Sequence, residues 1–204
     1  YPTSQITNPN WTSYGLGWFQ HDFKGEKIDF HTGSLPGLIA INGQLRSKDL
    51  SVYVFANMDH AELRHAIMYK VFDLYALQGD KDWHQEIFNL YQGLEKASAK
   101  GDSTFRASRK VNTSTSLPLE EYTGKFGHPM YGTVEMTIKD GNLYYNQNNK
   151  LNCIFKHWHY DTFIAVDKSG YNPLNDALIT FEMSFDGNIS GFSFGEGLDF
   201  KREN

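Results

Sequence analysis

The sequence contains a single cysteine, Cys153, which excludes an internal disulfide framework and a zinc site built from several thiolates. Cys153 lies between Leu151 and Ile154 in an alternating run and reads as a small core hydrophobe rather than a nucleophile. No apolar run approaches the roughly 20 residues that span a bilayer, so no membrane span is expected. An excess of positive charge is also missing: 19 Lys and Arg against 24 Asp and Glu give a formal charge of -5. The basic residues are scattered, so the electrostatic footprint of a nucleic-acid partner is absent. There is no internal repeat and no low-complexity tract. What the chain does have is 40% hydrophobic and 15% aromatic residues, ample for packed cores in one or two domains.

Strand patterns occupy 14–20, 27–33, 38–45 and 50–57, separated by turn signals at Lys24-Gly25, Pro36-Gly37 and Ser47-Lys48-Asp49. Asp59 followed three residues later by Glu62 resembles a capping box. After it Leu63, Ile67, Val71 and Leu74 recur at helical spacing, with Met68, Phe72 and Tyr75 alongside. This predicts a long amphipathic helix ending near Gly79, its apolar stripe laid on the sheet. A second helix is predicted from Asp80 or Asp82, with Trp83, Ile87, Leu90, Tyr91 and Leu94 on one face, ending at Gly101. Residues 101–116, dominated by Ser, Thr, Arg and Lys, read as a linker. From 117 onward the pattern is about eight short strands, with turn signals at Asp140-Gly141 and Asp186-Gly187, which implies a small barrel or sandwich that closes on itself. The fold class is therefore α+β: an antiparallel sheet with a helix, followed by a small all-β barrel.

One run carries chemistry. Ile28-Asp29-Phe30-His31-Thr32-Gly33-Ser34 follows the aromatic-glycine strand around Tyr14-Gly15-Leu16-Gly17-Trp18. It precedes the turn Leu35-Pro36-Gly37, the strand 50–57 ending in Ala56-Asn57, and the predicted helix. This ordered set, over roughly residues 10–77, resembles the end of the catalytic domain in the penicillin-binding-protein and class C β-lactamase-like superfamily of serine hydrolases. Three motifs meet at one cleft there: S-x-x-K with the nucleophile, Y-x-N or S-x-N with a base, and K-T-G or H-T-G on an edge strand. Only the third is present in context. No serine has a lysine three positions later. Tyr144-Tyr145-Asn146 fits Y-x-N by letter, yet it follows the H-T-G and sits beside the turn Asp140-Gly141, so it reads as a chance match on a hairpin.

The chain is accordingly expected to be the C-terminal portion of a longer enzyme. The resemblance divides it into the last part of a β-lactamase-like catalytic domain over 1–79, a bridging helix and linker over 80–116, and an accessory barrel over 117–204. The opening of that barrel, Leu119-Glu120-Glu121-Tyr122-Thr123-Gly124-Lys125-Phe126, resembles a lipocalin-like β-domain appended to such hydrolases, whose own role is unknown. The first residues show no signal-peptide zones. For a chain expected to begin mid-protein, that leaves a periplasmic or secreted parent open.

The resemblance implies roles for four residues. The Ser34 backbone N–H matches the family position that donates to the oxyanion, Gly33 lets substrate approach closely, and Thr32 offers a hydroxyl to substrate. His31 takes the place of lysine. Lysine is cationic at pH 7 and anchors a carboxylate, whereas histidine as a residue type has an ordinary pKa of about 6.5 and is mostly neutral. That substitution implies ester or peptide substrates more than β-lactams. No cofactor or metal is called for. The partners implied are a small-molecule ester or peptide substrate, reached through the parent enzyme, and either the missing N-terminal part or a second copy covering the sheet. A rival reading is a non-catalytic binding protein whose barrel holds a small apolar ligand or a protein partner.

Weaker candidates are His157 and His159, two apart on one strand face with Asp161, which read as ordinary surface more than as metal ligands. His60 and His65 read as cap-region, exposed residues. Tyr144, Tyr145, Trp158, Phe163, Phe181 and Phe192 either fill the barrel or line a cavity in it.

Overall fold

The computed structural model describes residues 1–58, 62–167, 172–195 and 197–203. It divides into two compact units, Tyr1–Thr104 and Phe105–Asn204. The first holds a five-stranded antiparallel sheet whose strands lie in chain order: β1 (Thr12–Gly15), β2 (Trp18–Phe23), β3 (Glu26–Leu35), β4 (Leu38–Leu45) and β5 (Leu50–Ala56). A short helix, α1 (Ser4–Thr7), precedes the sheet; α2 (Leu63–Phe72) and α3 (Trp83–Ala107) follow it.

The strand expected over 14–20 is two strands. Leu16 and Gly17 both have positive φ, +51° and +83°, the combination a two-residue hairpin turn requires. The chain therefore doubles back, with Tyr14 opposite Phe19. Phe23↔Glu26 and Leu35↔Leu38 close the next two hairpins around Lys24-Gly25 and Pro36-Gly37. Those closures fix which face each residue takes. Ile28, Phe30, Ile41, Leu45 and Val52 point to one face and are buried with Met68, Tyr69, Phe72, Trp83 and Ile87. Each such side chain contributes about 1.5–3 kcal/mol of apolar burial. On the opposite face Leu35, Leu38, Tyr53 and Phe55 are 68, 53, 59 and 76% exposed.

Helix α2 turns a different stripe to the sheet from the one its periodicity suggests. His65, Met68, Tyr69 and Phe72 are buried, whereas Leu63, Ile67 and Leu74 are exposed. Gly43 explains part of this choice: a Cβ there would lie 2.3 Å from Met68 Sδ, so the missing side chain is the socket for Met68. The helix also fails to run regularly to Gly79. Its last turn widens into a π turn over Asp73–Leu77 and stops at Gln78 in the left-handed conformation. The buried Asp73 carboxylate accepts Lys24 Nζ at 2.7 Å and Trp83 Nε1 at 2.5 Å, tying the widened turn to the β2–β3 turn and to α3. Asp59, expected to cap α2, lies outside the described residues.

At the start of α3, Asp82 Oδ1 accepts the Gln85 N–H at 3.0 Å, which is N-capping geometry. The helix does not stop at Gly101 but continues to Ala107. An interior glycine costs a helix only about 1 kcal/mol, too little to end this one. Residues 108–116 are what remains of the expected linker.

The second unit is a closed antiparallel barrel of eight strands. They are β6 (Gly124–His128), β7 (Gly132–Lys139), β8 (Asn142–Gln147), β9 (Leu151–His159), β10 (Thr162–Val166), β11 (Leu178–Met183), β12 (Ile189–Ser193) and β13 (Asp199–Arg202), and β13 returns to β6. Its interior is filled by Tyr122, Phe126, Tyr145, Phe155, Phe163, Phe181 and Phe192, with Cys153 among them. Two of the expected interior aromatics are elsewhere. Tyr144 alternates outward, with Lys139 Nζ 5.0 Å from its ring centre, and Trp158 stacks on Phe105 at 5.2 Å with Arg109 alongside. Among the described residues, no helix is long and apolar enough to cross a membrane.

Candidate functional site

The H-T-G residues lie near the end of β3, where that strand outruns its neighbour. Because Leu35↔Leu38 is the hydrogen-bonded pair that closes a two-residue turn, Gly33↔Ala40 and His31↔Asn42 are hydrogen-bonded pairs as well. Thr32 and Ser34, out of step by one, aim their backbone groups to the other side of the strand. β2 occupies that side only as far as Phe19↔Phe30, since its first residue is Trp18. The backbone N–H of Ser34 is thus directed at an edge that β2 leaves open.

Gly33 has no packing reason to be glycine. A Cβ there would meet nothing within 4 Å and its φ is not positive. With no side chain there, the strand surface at Gly33 is open to close approach by another backbone or a ligand. The Thr32 hydroxyl donates to the Ala40 carbonyl at 3.0 Å, which leaves its oxygen lone pairs as acceptors. His31 is exposed, and its Nδ1 is hydrogen-bonded to the Gly17 carbonyl at the β1–β2 turn. A carbonyl only accepts, so Nδ1 carries a proton, and in the neutral tautomer with that proton Nε2 is the acceptor.

Behind this strand lies a buried polar cluster that the sequence reading did not anticipate. Arg64, 7% exposed on α2, donates from Nη1 to both the Gly33 carbonyl and the Ser34 hydroxyl, each at 3.2 Å. Its Nη2 lies 3.3 Å from Glu62 Oε2. His65 Nδ1 is also 3.3 Å from Glu62 Oε2, not aligned as a hydrogen bond. His65 is therefore buried, against the expectation of an exposed residue, and stacks on Tyr91 at 6.1 Å. His60 lies outside the described residues. The His65 contact lowers the Glu62 pKa, burial opposes it, and Arg64 adds to the lowering. Burial, with the Glu62 charge, pushes the Tyr91 hydroxyl up to about 12. An Arg two residues after a Glu at the start of a helix was the one available signal for this cluster, and many exposed helices share that pattern.

In the barrel unit, His157, His159 and Asp161 have separate partners. His157 Nε2 is 2.9 Å from the Tyr160 carbonyl and His159 Nδ1 accepts the Lys110 N–H at 3.3 Å. Asp161 accepts the Ser116 N–H at 2.8 Å, the Ser116 hydroxyl at 2.7 Å and the Tyr122 hydroxyl. Among the described residues no group of three or more His, Cys, Asp or Glu could hold a metal ion.

Comparison with known proteins bears on the two units differently. Residues 108–204 match the family model described as Domain of unknown function (DUF3471). Over 141 residues, 65% of this chain, the sequence is 26% identical to a curated hydrolase, Unguisins hydrolase ungD of Aspergillus violaceofuscus. The chain spans about a quarter of that relative's length, 25%. Among solved structures, the C-terminal domain of penicillin binding protein Rv0907 is 20% identical with a TM-score of 0.35, covering 47% of this chain and 94% of that one. SurE with D-Leu is 15% identical with a TM-score of 0.37, covering 94% of this chain and 39% of that one. This chain is thus distantly similar to a hydrolase.

Proposed function

We propose that this chain is the C-terminal part of a serine hydrolase of the β-lactamase-like superfamily, acting by acyl transfer on an ester or amide, and that the barrel is its lipocalin-like accessory domain. The observation that carries the reading is the open side of β3, where the Ser34 N–H is aimed past the end of β2 beside a glycine that nothing in the chain demands. In this reading an extended substrate pairs with that edge and its carbonyl oxygen accepts the Ser34 N–H. A serine outside these residues attacks the carbonyl carbon, the tetrahedral oxyanion collapses with loss of the leaving group, and water then releases the acyl group. An oxyanion donor of this kind is worth about 3–4 kcal/mol in the transition state.

His31 offers an acceptor Nε2 rather than a fixed cation, which supports substrates that carry a donor near the scissile bond over those held by a free carboxylate. The exposed face with Leu35, Leu38, Tyr53 and Phe55 is the surface on which the part bearing the nucleophile would sit. The similarity to a curated hydrolase supports the same class of chemistry. The alternative of an apolar ligand inside the barrel finds no support in an interior already occupied by aromatic side chains.

The test is labelling by a fluorophosphonate. The purified chain alone is expected to take up none. When it is co-expressed with a polypeptide carrying S-x-x-K, label should appear on that polypeptide's serine, and Gly33→Val should suppress it. Stoichiometric label on this chain's own serines, or labelling indifferent to Gly33→Val, would overturn the reading.

A further inference from the structure

We propose that Arg64 is a positioning residue, a buried clamp that fixes the peptide between Gly33 and Ser34 so that the Ser34 N–H is held toward the open side of β3. This deepens the hydrolase reading and rests on it for the meaning of that N–H. The geometry of the clamp stands on its own. The peptide plane between these residues carries the Gly33 carbonyl on one side and the Ser34 N–H on the other. Holding the carbonyl therefore holds the direction of the N–H. Arg64 Nη1 reaches that carbonyl and the Ser34 hydroxyl at 3.2 Å each, two anchors on either side of one peptide bond.

Without such a clamp this strand end has little to keep it still. β2 does not reach it, so β4 alone holds it, and it runs straight into the turn at Pro36-Gly37. Preorganisation is what makes an oxyanion donor effective, because a donor that must reorient during the reaction loses its advantage over water.

Burial makes the clamp rigid. Arg64 is 7% exposed, and a guanidinium taken out of water needs a counter-charge and hydrogen-bond acceptors. Glu62 supplies the charge 3.3 Å from Nη2, and Gly33 and Ser34 supply acceptors to Nη1, while the buried Nε makes no hydrogen bond. His65, packed on Tyr91, places its Nδ1 3.3 Å from the same Glu62 oxygen. Lysine could not replace this arrangement, since a single ammonium cannot bridge a carboxylate and two acceptors in a planar fork.

The experiment measures backbone order in the 15N-labelled chain for the wild type, Arg64→Met and Arg64→Lys. In the wild type, Ser34 and Gly33 should have order parameters near those of rigid backbone, about 0.85. In Arg64→Met they should fall to about 0.6 or below, the flexible range, while Phe30 and Ile41 stay unchanged. Added guanidinium should recover part of the loss. Should Arg64→Met fail to fold, Arg64→Lys decides, with an intermediate fall at Ser34 and none at Phe30. A folded variant whose Ser34 order equals that of the wild type overturns the clamp.

A second arm uses a polypeptide that contains both this chain and the nucleophile. There Arg64→Lys should lower kcat roughly tenfold or more with KM nearly constant, a smaller loss than the 10²–10³ for outright removal of an oxyanion donor. A fall in Ser34 order without any change in kcat would refute the positioning role. Absence of acyl transfer in the unsubstituted polypeptide would instead refute the hydrolase reading and leave the order measurement to judge the clamp.

Discussion

The Nε2 of His21 and the hydroxyl of Tyr69 meet at 3.3 Å inside the core of the first unit, with the Thr3 hydroxyl 3.0 Å beyond on the same tyrosine. This histidine on β2 and this tyrosine on α2 are 48 residues apart and join the sheet to its covering helix. Both are wholly buried. Burial lowers the pKa of His21 to about 4, although the backbone and charge of Asp22 pull the other way, and it pushes the Tyr69 hydroxyl well above its ordinary range. The pair is thus neutral across the physiological range.

Acid should weaken the first unit because of His21. Its folded pKa of about 4 lies below the unfolded value of about 6.5, so the unfolded chain binds the proton more readily. Stability is complete above about pH 6.5 and declines as the pH falls toward 4, where the loss levels off at roughly 3 kcal/mol. Urea midpoints measured across that range should show the slope, and His21→Phe should flatten it. A His21→Phe protein with the same slope as the wild type would refute the assignment.

Gly79→Ala should destabilise the junction of α2 and α3. The new Cβ would stand 2.4 Å from Asp73 Cγ and 2.2 Å from Lys24 Nζ. Lys24 can move, but the short Asp73 side chain is held by Trp83 and cannot. Overpacking of this kind costs about 1–3 kcal/mol. Loss of Trp83 fluorescence should accompany a lower thermal midpoint, and an unchanged midpoint would contradict the packing.

In the barrel, Tyr122→Phe removes one donor from Asp161 and leaves the two from Ser116 in place. Burial raises the carboxyl of Asp161, and the bonds from Tyr122 and Ser116 outweigh it, so the net shift is downward. A carboxylate with a lowered folded pKa stabilises above its ordinary value near 3.9, and that stability is lost as the pH falls through the lowered one. Tyr122→Phe should cost about 1.5–3 kcal/mol at pH 7, the usual worth of a bond to a charged group. The cost should shrink in strong acid, which denaturant titrations at the two pH values will read.

The uncovered sheet face should make the chain associate with itself. Light scattering over a dilution series is expected to show a mass above 23.4 kDa that falls on dilution. Phe55→Glu should move the protein to monomer without loss of sheet signal. A wild-type monomer at every concentration would count against both the association and the use of this face as a seat for another polypeptide.

Where the sequence was legible, short-range chemistry decided the outcome. Turns form at Lys24-Gly25 and Pro36-Gly37, where a basic-glycine and a proline-glycine pair interrupt the strand patterns, and the alternation in 38–45 became β4 with those bounds. It misled where tertiary packing overrode a local pattern. Leu63, Ile67 and Leu74 have the better helical spacing, yet the larger Tyr69 and Phe72, with Met68 in the hollow at Gly43, took the buried side. Gly101 reads as a stop, but a glycine ends a helix only where the chain has reason to turn. The doubling at Leu16-Gly17 was hidden because Leu rarely adopts positive φ. At the candidate site, His31, Thr32, Gly33 and Ser34 were visible as a motif. Arg64 was not, because nothing local distinguishes a buried arginine from an exposed one.

The return of β13 to β6, through Arg202 opposite Phe126 and Lys201 opposite Gly127, bears on how such a unit travels between genes. A barrel whose last strand satisfies its first asks no neighbour to complete it. Recombination can join it to an unrelated coding sequence, or remove it, without compensating substitutions in what it is joined to. A five-stranded sheet that exposes Leu35, Leu38, Tyr53 and Phe55 on one face has less such freedom, since a sequence joined to it must tolerate that apolar surface.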